Sequence, residues 1–444
     1  MLTVSRANRP AELLLRRARV VDPISGLDEY LDISIRHGRI AAIGHHLSRA
    51  GEQREVDASR WTILPAFIDP HVHVRVPGGD EVENIASATA AAARGGYGAI
   101  VSMPNTRPVV DSPELLQSLH RDAAEQAVVP IGFAAAISVG QEGEQLAELC
   151  ELADAGAMLF SDDGRPVRSS ALMRRALQYQ LVARRPFALH CEDPALSGTG
   201  VMHEGAVSAR LGMTGIPASS EWLAVARDVR LAVETHGTIH LQHLSCRGSV
   251  EELAWAKGRG AAVTGEVTPH HLLLTDEAVD GCDSNMKMNP PLRSADDRAA
   301  LIDGLRTGLI DCIATDHAPH DGEAKQEPFE RAPFGVTGLE TAFASLYTGL
   351  VEPGHLTLAQ LAVAMSAAPA RVLGIAEPRI EVGAPAQLVA FDLDDTWTVD
   401  AADFASRSTN SAFLGRTLRG TCALTLADGS VVYENARVAV GAGA

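Results

Sequence analysis

The chain is expected to adopt an α/β fold: a (β/α)8 barrel of the TIM type, with a small β-sandwich domain formed by its N- and C-terminal segments. Three observations predict it. Between residues 64 and 373 short apolar runs alternate with helical patterns, the rhythm of a parallel sheet with crossover helices. Eight such runs occur, the count that closes a barrel. Outside that region apolar and polar residues alternate with the two-residue period of half-buried strands.

Residues 1–63 read as a meander. Leu13-Leu14-Leu15 and Val20-Val21 precede a turn at Pro23-Ile24-Ser25-Gly26, Ile33 and Ile35 alternate with polar neighbours, and Ile40 to Ile43 follow a His37-Gly38 turn. The barrel strands are expected at 64–69, 99–103, 129–134, 157–161, 187–190, 239–243, 262–267 and 310–315, with helices such as 219–234 and 295–306 between them. A polar stretch from Ala318 runs to Pro333-Phe334-Gly335-Val336-Thr337-Gly338 and suits a mobile lid. Residues 374–444 return to strands at 388–391, 422–426 and 431–433, with an Asp428-Gly429 hairpin turn. The two terminal segments are expected to pair into one sandwich.

At 444 residues the chain has room for one large domain and a smaller one. A net charge of −18 argues against general nucleic-acid binding. The same charge repels anionic substrates unless the site supplies its own cations. The six cysteines are dispersed without a Cys-X-X-Cys pair, as in the reduced core of a cytosolic protein. No signal-peptide core follows Met1, and no stretch of ~20 apolar residues suggests a membrane span.

His71, His73, Asp163, His190, His243 and Asp316 each stand at the end of an apolar run and are residue types that bind metals. Strand ends that deliver such residues to one barrel mouth point to a metal-dependent hydrolase. His71 and His73 are two apart in an extended segment, so both face one side and can reach one ion. Asp162-Asp163-Gly164 reads either as a turn or as a carboxylate able to bridge two ions. His190 and His243, each taken alone, read more readily as satisfied core histidines than as ligands. Asp316, at the last strand, suits a base that takes a proton from metal-activated water.

The words around these residues narrow the reading. Gly95-Gly96-Tyr97, Met103-Pro104-Asn105-Thr106, Ser161-Asp162-Asp163-Gly164, His190-Cys191-Glu192-Asp193, Asn289-Pro290-Pro291-Leu292-Arg293, the run from Ala314 to His320 and Ala332-Pro333-Phe334-Gly335 resemble class I dihydroorotases of the amidohydrolase superfamily. The resemblance implies one or two zinc ions per subunit, two favoured, bound by His71, His73, Asp163, His190, His243 and Asp316. It implies Asp316 as the catalytic residue, and substrate contacts from His73, Arg75, Asn105, Asn289, His320 and the Phe334-Gly335 backbone. Arg75 and Asn105 would hold the substrate carboxylate, for which a guanidinium offers a matched planar fork. Relatives that use a carbamylated lysine in place of the bridging aspartate are set apart, because no lysine occurs between Ala134 and Leu189.

The implied activity is reversible cyclisation of N-carbamoyl-L-aspartate to L-dihydroorotate in pyrimidine synthesis, in a cytoplasmic homodimer able to associate with aspartate carbamoyltransferase. Two other readings stand beside it: a hydrolase of hydantoins, dihydropyrimidines or allantoin, and an inactive structural partner of aspartate carbamoyltransferase. The chain departs from the family pattern at Val76, where an acidic residue is common, and in Gly79-Asp80-Glu81-Val82-Glu83, which lacks a lysine often found there.

Overall fold

The computed structural model describes residues 1–436. Residues 437–444, the tail of the expected C-terminal segment, lie outside the described residues. The barrel strands that carry regular ladders are Phe67–Val72, Tyr97–Ser102, Ile131–Phe133, Phe187–Leu189, Ile239–Leu241, Val263–Val267 and Cys312–Ile313. All neighbouring pairs among them are parallel.

The expected strand at 157–161 takes its place with a short ladder: Met158 N and Ser161 N donate to Phe133 O and Ala135 O, each at 2.9 Å, and Ala135 N donates to Leu159 O at 3.0 Å. Phe160 makes one parallel bridge to Ala135 and one to Phe187. On the other side Phe160 N donates to Pro186 O at 3.0 Å and Ala188 N to Phe160 O at 2.8 Å, and the chain then leaves into the Asp162–Gly164 turn. A last parallel bridge, Val72 to His317, joins the first strand to the segment after the last. The pairing thus passes through eight positions and returns to its start. Small and medium side chains, including Ile68, Ala99, Val101, Ala134 and Ala188, pack in one buried cluster on these strands. The helices pack outside, on the largest apolar cluster of the protein.

Local chemistry explains the helix starts. Ala295–Arg306 begins at a capping box in which Ser294 and Asp297 satisfy each other's backbone donors. Ile85–Arg94 begins at Asn84 in the same way, with Ser87 as partner.

The two ends of the chain form one eight-stranded sheet. Trp61–Pro65 pairs antiparallel with Leu388–Thr398, which stitches the N-terminal strands to the C-terminal ones. Leu15, Val20, Ile33 and Ile35 from one end share a buried cluster with Leu388, Ala390, Leu424 and Leu426 from the other. No disulfide links the cysteines; Cys191, Cys246 and Cys312 are buried, whereas Cys282 is exposed rather than part of the core. Among the described residues no helix is long and apolar enough to cross a membrane.

Candidate metal centre

The six residues singled out as ligands converge at the carboxyl ends of the strands. His71 lies within the first strand, and the others lie just beyond strand ends, where backbone geometry is freed from the ladder. His243 and Asp316 adopt positive φ values of 33° and 48°. Such conformations are uncommon outside glycine and concentrate at functional sites.

Asp163 organises the group. Its Oδ2 lies 3.3 Å from His73 Nε2 and 3.7 Å from His71 Nε2. Its Oδ1 lies 3.6 Å from His190 Nδ1 and 3.7 Å from His243 Nε2. Each carboxylate oxygen therefore serves a separate pair of histidines. His71–His73–Asp163 and Asp163–His190–His243 are both buried, with ligand atoms within 4.8 Å of one another in each set. Asp316 Oδ1 approaches the first set, 3.0 Å from His73 Nε2 and 3.5 Å from His71 Nε2.

The donor set fits divalent cations. His71 Nε2 is buried without a hydrogen-bond partner and is aimed at the two carboxylates. His190 Nδ1 and His243 Nε2 face each other at 2.9 Å, beside a carboxylate oxygen. Nitrogen and oxygen donors turned inward to a common point, with few protons to share, are suited to a metal ion. Neighbouring Asp162 turns away; its carboxylate accepts from the Ile137 and Ser138 backbone at 2.8 and 3.2 Å.

Several partners are invisible in the local sequence. Glu266 accepts from His71 Nδ1 at 2.6 Å and from His240 Nε2 at 2.9 Å, fully buried. Burial opposes the charged form of His71, yet the carboxylates of Glu266 and Asp316 hold its pKa well above the usual range. Burial likewise works against ionised Glu266, and the two histidines still bring it down to about 2. Glu192 takes the same part for His190, 2.8 Å from its Nε2, and accepts from Asn289 Nδ2 at 2.9 Å. Gln242, to which the sequence assigns no role, lies 3.2 Å from His71 Nδ1. A glutamate inside the apolar run 262–267 is the one signal that could have marked Glu266.

Beside the carboxylates a cavity of about 250 Å³ opens between the loops, slightly smaller than the roughly 300–1,000 Å³ usual for small-molecule sites. Its lining includes Arg75, Asn105, Asn289, His320, Phe334 and Gly335, so every expected substrate contact reaches it, together with His73. Arg75 reaches the cavity from a loop, not from the strand that carries His71. The strand ends at Val72, and Arg75 sits in the following loop at φ +64°, its Nε donating to Pro319 O at 3.0 Å. Asn105 bridges His73 Nδ1 at 2.9 Å and Asp163 Oδ2 at 3.2 Å. His320 Nε2 donates to Phe334 O at 2.6 Å, and burial with the nearby Arg75 charge lowers its pKa to about 3.

The segment expected as a lid is tied down in the structure. Asn410, unmarked in the sequence, donates to Ala318 O and Gly335 O at 3.2 Å and accepts from His320 N at 3.2 Å. Burial works against ionised Glu83, but His317 beside it keeps its pKa below the usual range; Glu83 also binds Ser406 and Ser87.

Comparison with known proteins agrees with this geometry. Residues 61–249 match the family model described as dihydro-orotase-like. The chain is 48% identical to a dihydroorotase of Pelotomaculum thermopropionicum, over 96% of this chain and 99% of that one. It is 44% identical to a dihydroorotase of Anaeromyxobacter dehalogenans, over 96% and 98%. Among solved structures it is similar to the L-hydantoinase (dihydropyrimidinase) of Arthrobacter aurescens, with a TM-score of 0.85, 26% identity and 96% of each chain covered. A dihydropyrimidinase of Brevibacillus agri shares the fold at a TM-score of 0.83.

Proposed function

Because the chain belongs to the dihydroorotase family, we propose that it interconverts N-carbamoyl-L-aspartate and L-dihydroorotate in pyrimidine synthesis, with a metal centre held by His71, His73, Asp163, His190, His243 and Asp316. The observation that carries this reading is the division of Asp163, one oxygen to each histidine pair, which suits a carboxylate shared by two cations. When bound, a zinc ion supplies acidified water near neutral pH and polarises a carbonyl.

The residues of the chain supply the rest. Asp316 is ionised, since His71 and His73 outweigh the effect of burial and hold its pKa far down. In hydrolysis it takes the proton of the attacking water and passes it to the ring nitrogen as the amide C–N bond breaks. In cyclisation it removes a proton from the ureido nitrogen and passes it to the departing water. Arg75 and Asn105 hold the ring carboxylate, and Arg75 matches it as a planar fork. Asn289 and the Phe334-Gly335 backbone receive the ring and its carbonyls. His320, neutral at pH 7, contributes as an uncharged hydrogen-bonding group. Zinc as the metal, two ions per subunit, a cytoplasmic homodimer and association with aspartate carbamoyltransferase are finer parts of this reading that rest on the family.

The hydantoinase likeness raises a neutral cyclic amide as an alternative. Arg75 in the cavity, and the absence of lysine from 135 to 188, favour the acidic ring and an aspartate bridge. The test is the far-ultraviolet absorbance of L-dihydroorotate with purified protein, before chelation, after it, and after zinc return. The expected result is loss of signal that disappears with the metal and returns with it. Full metal occupancy without turnover, beside turnover of dihydrouracil, would overturn the assignment.

A further inference from the structure

The net charge of −18 requires that an anionic substrate find local cations, and Arg75 is the only one foreseen. The structure holds two more. Lys287 and Lys325 are 2% and 7% exposed and lie directly behind the Phe334–Gly335 wall of the cavity. Lys325 Nζ donates to Pro333 O at 3.1 Å and Gly335 O at 2.9 Å. Lys287 Nζ donates to Phe329 O at 2.7 Å and Glu330 O at 3.1 Å, and stands 4.6 Å from the centroid of the Phe334 ring. The backbone closes the arrangement, with Gly335 N donating to Lys287 O at 2.9 Å.

Neither ammonium has a carboxylate in ion-pair contact among the described residues; Asp283 and Glu330 act on them only from farther away. Burying an ammonium without a counter-charge is costly. Carbonyl dipoles offset part of that cost, but an uncharged amide side chain could make similar bonds without it. Burial lowers the pKa of Lys287, and burial together with Lys287 lowers that of Lys325 to about 8, so Lys325 carries charge at pH 7. The Phe334–Gly335 segment they brace lines the cavity, where Arg75 and neutral His320 also stand. Gly335 ties the pair to the cavity wall: its φ is +119°, and a Cβ there would meet Ala318 Cβ at 2.7 Å and His320 Nε2 at 2.9 Å.

We propose that Lys287 and Lys325 are positioning residues that set the Phe334–Gly335 wall and make the cavity select ligands by negative charge. The inference rests on the dihydroorotase reading, whose two substrates differ in charge: L-dihydroorotate carries one carboxylate and N-carbamoyl-L-aspartate two. A fixed positive field favours the dianion about twice as strongly in free energy.

The experiment compares KM and kcat for both substrates in the metal-loaded full chain and in its Lys325→Met and Lys325→Gln variants, with Lys287→Gln as a second site should Lys325→Met fail to fold. Expected is a KM raised about tenfold for the monoanion and clearly more for the dianion, with kcat changed far less. Lys325→Gln, which can keep hydrogen bonds but not charge, should behave like Lys325→Met. Equal KM increases for the two substrates, recovery of wild-type KM in Lys325→Gln, or no change at all would overturn the proposal. Failure of the underlying functional reading would look different: the wild type itself would turn over neither substrate.

Discussion

Asp163 shows how much of this site is decided by the orientation of single side chains. Its two oxygens can serve two histidine pairs only if each ring is turned correctly, and partners behind the rings do the turning. Glu266 holds His71 by Nδ1 and leaves Nε2 aimed inward. A carboxylate behind a ligating histidine fixes its tautomer and raises its basicity. Glu266→Gln should therefore weaken metal retention about 10–100-fold, read as metal content after dialysis against graded chelator. Unchanged retention would assign His71 orientation to Gln242 instead. Asp316→Asn should lower kcat about 10²–10⁴-fold, the usual contribution of a general acid–base group, with metal content checked in parallel. Near-normal turnover with metal retained would remove Asp316 from proton transfer.

At the scale of elements, the site is made by loops held on short strands. Apart from His71, the histidines and aspartates sit beyond ladders as short as Cys312–Ile313, and His243 and Asp316 take positive φ values there. The loop carrying Arg75 depends on Gly78, at φ +87°, where a Cβ would lie 2.1 Å from Arg107 O. Gly78→Ala should cost about 1–3 kcal/mol and raise KM for the acid by displacing Arg75, while metal content stays constant. Thermal melting and steady-state kinetics on one preparation check both parts; an unchanged KM would mean that the loop absorbs the methyl group. Val76, the departure from the family pattern, is half-buried in this loop and packs against the main core, a place that suits an apolar side chain. How few residues of the 157–161 strand bond to both neighbours was not legible, because an apolar run does not reveal how many of its residues find partners on both sides.

Across the whole molecule, half-buried neutral histidines shape the response to acid. Burial and the nearby N-terminal ammonium lower the pKa of His120 to about 4 from 6.5. Burial and Arg293 lower that of His203 to about 4 from 6.5. The unfolded chain takes these protons near pH 6.5 and the folded chain only near pH 4. Their stabilising effect is complete above about 6.5 and is lost as pH falls toward 4. The melting temperature should decline across this window, and a His120→Gln, His203→Gln double variant should show a shallower decline. Parallel curves for variant and wild type would mean that neither group is protonated on unfolding there.

The sequence by itself determined the alternation that makes a barrel, the flanking strands at both ends, and the residue types at strand ends that can bind metal. These are legible because hydrophobic periodicity and ligand chemistry are local properties of the chain. It also carried enough of the motifs around Asp163, His190 and Asp316 to indicate the family. Only the tertiary structure decided which oxygen of Asp163 faces which histidines, that Glu266 stands behind His71 from 195 residues away, and that Lys287, Lys325 and Asn410 brace the cavity wall. Those contacts arise when the barrel closes and the terminal sheet docks. They depend on distances between remote segments, which no local pattern encodes.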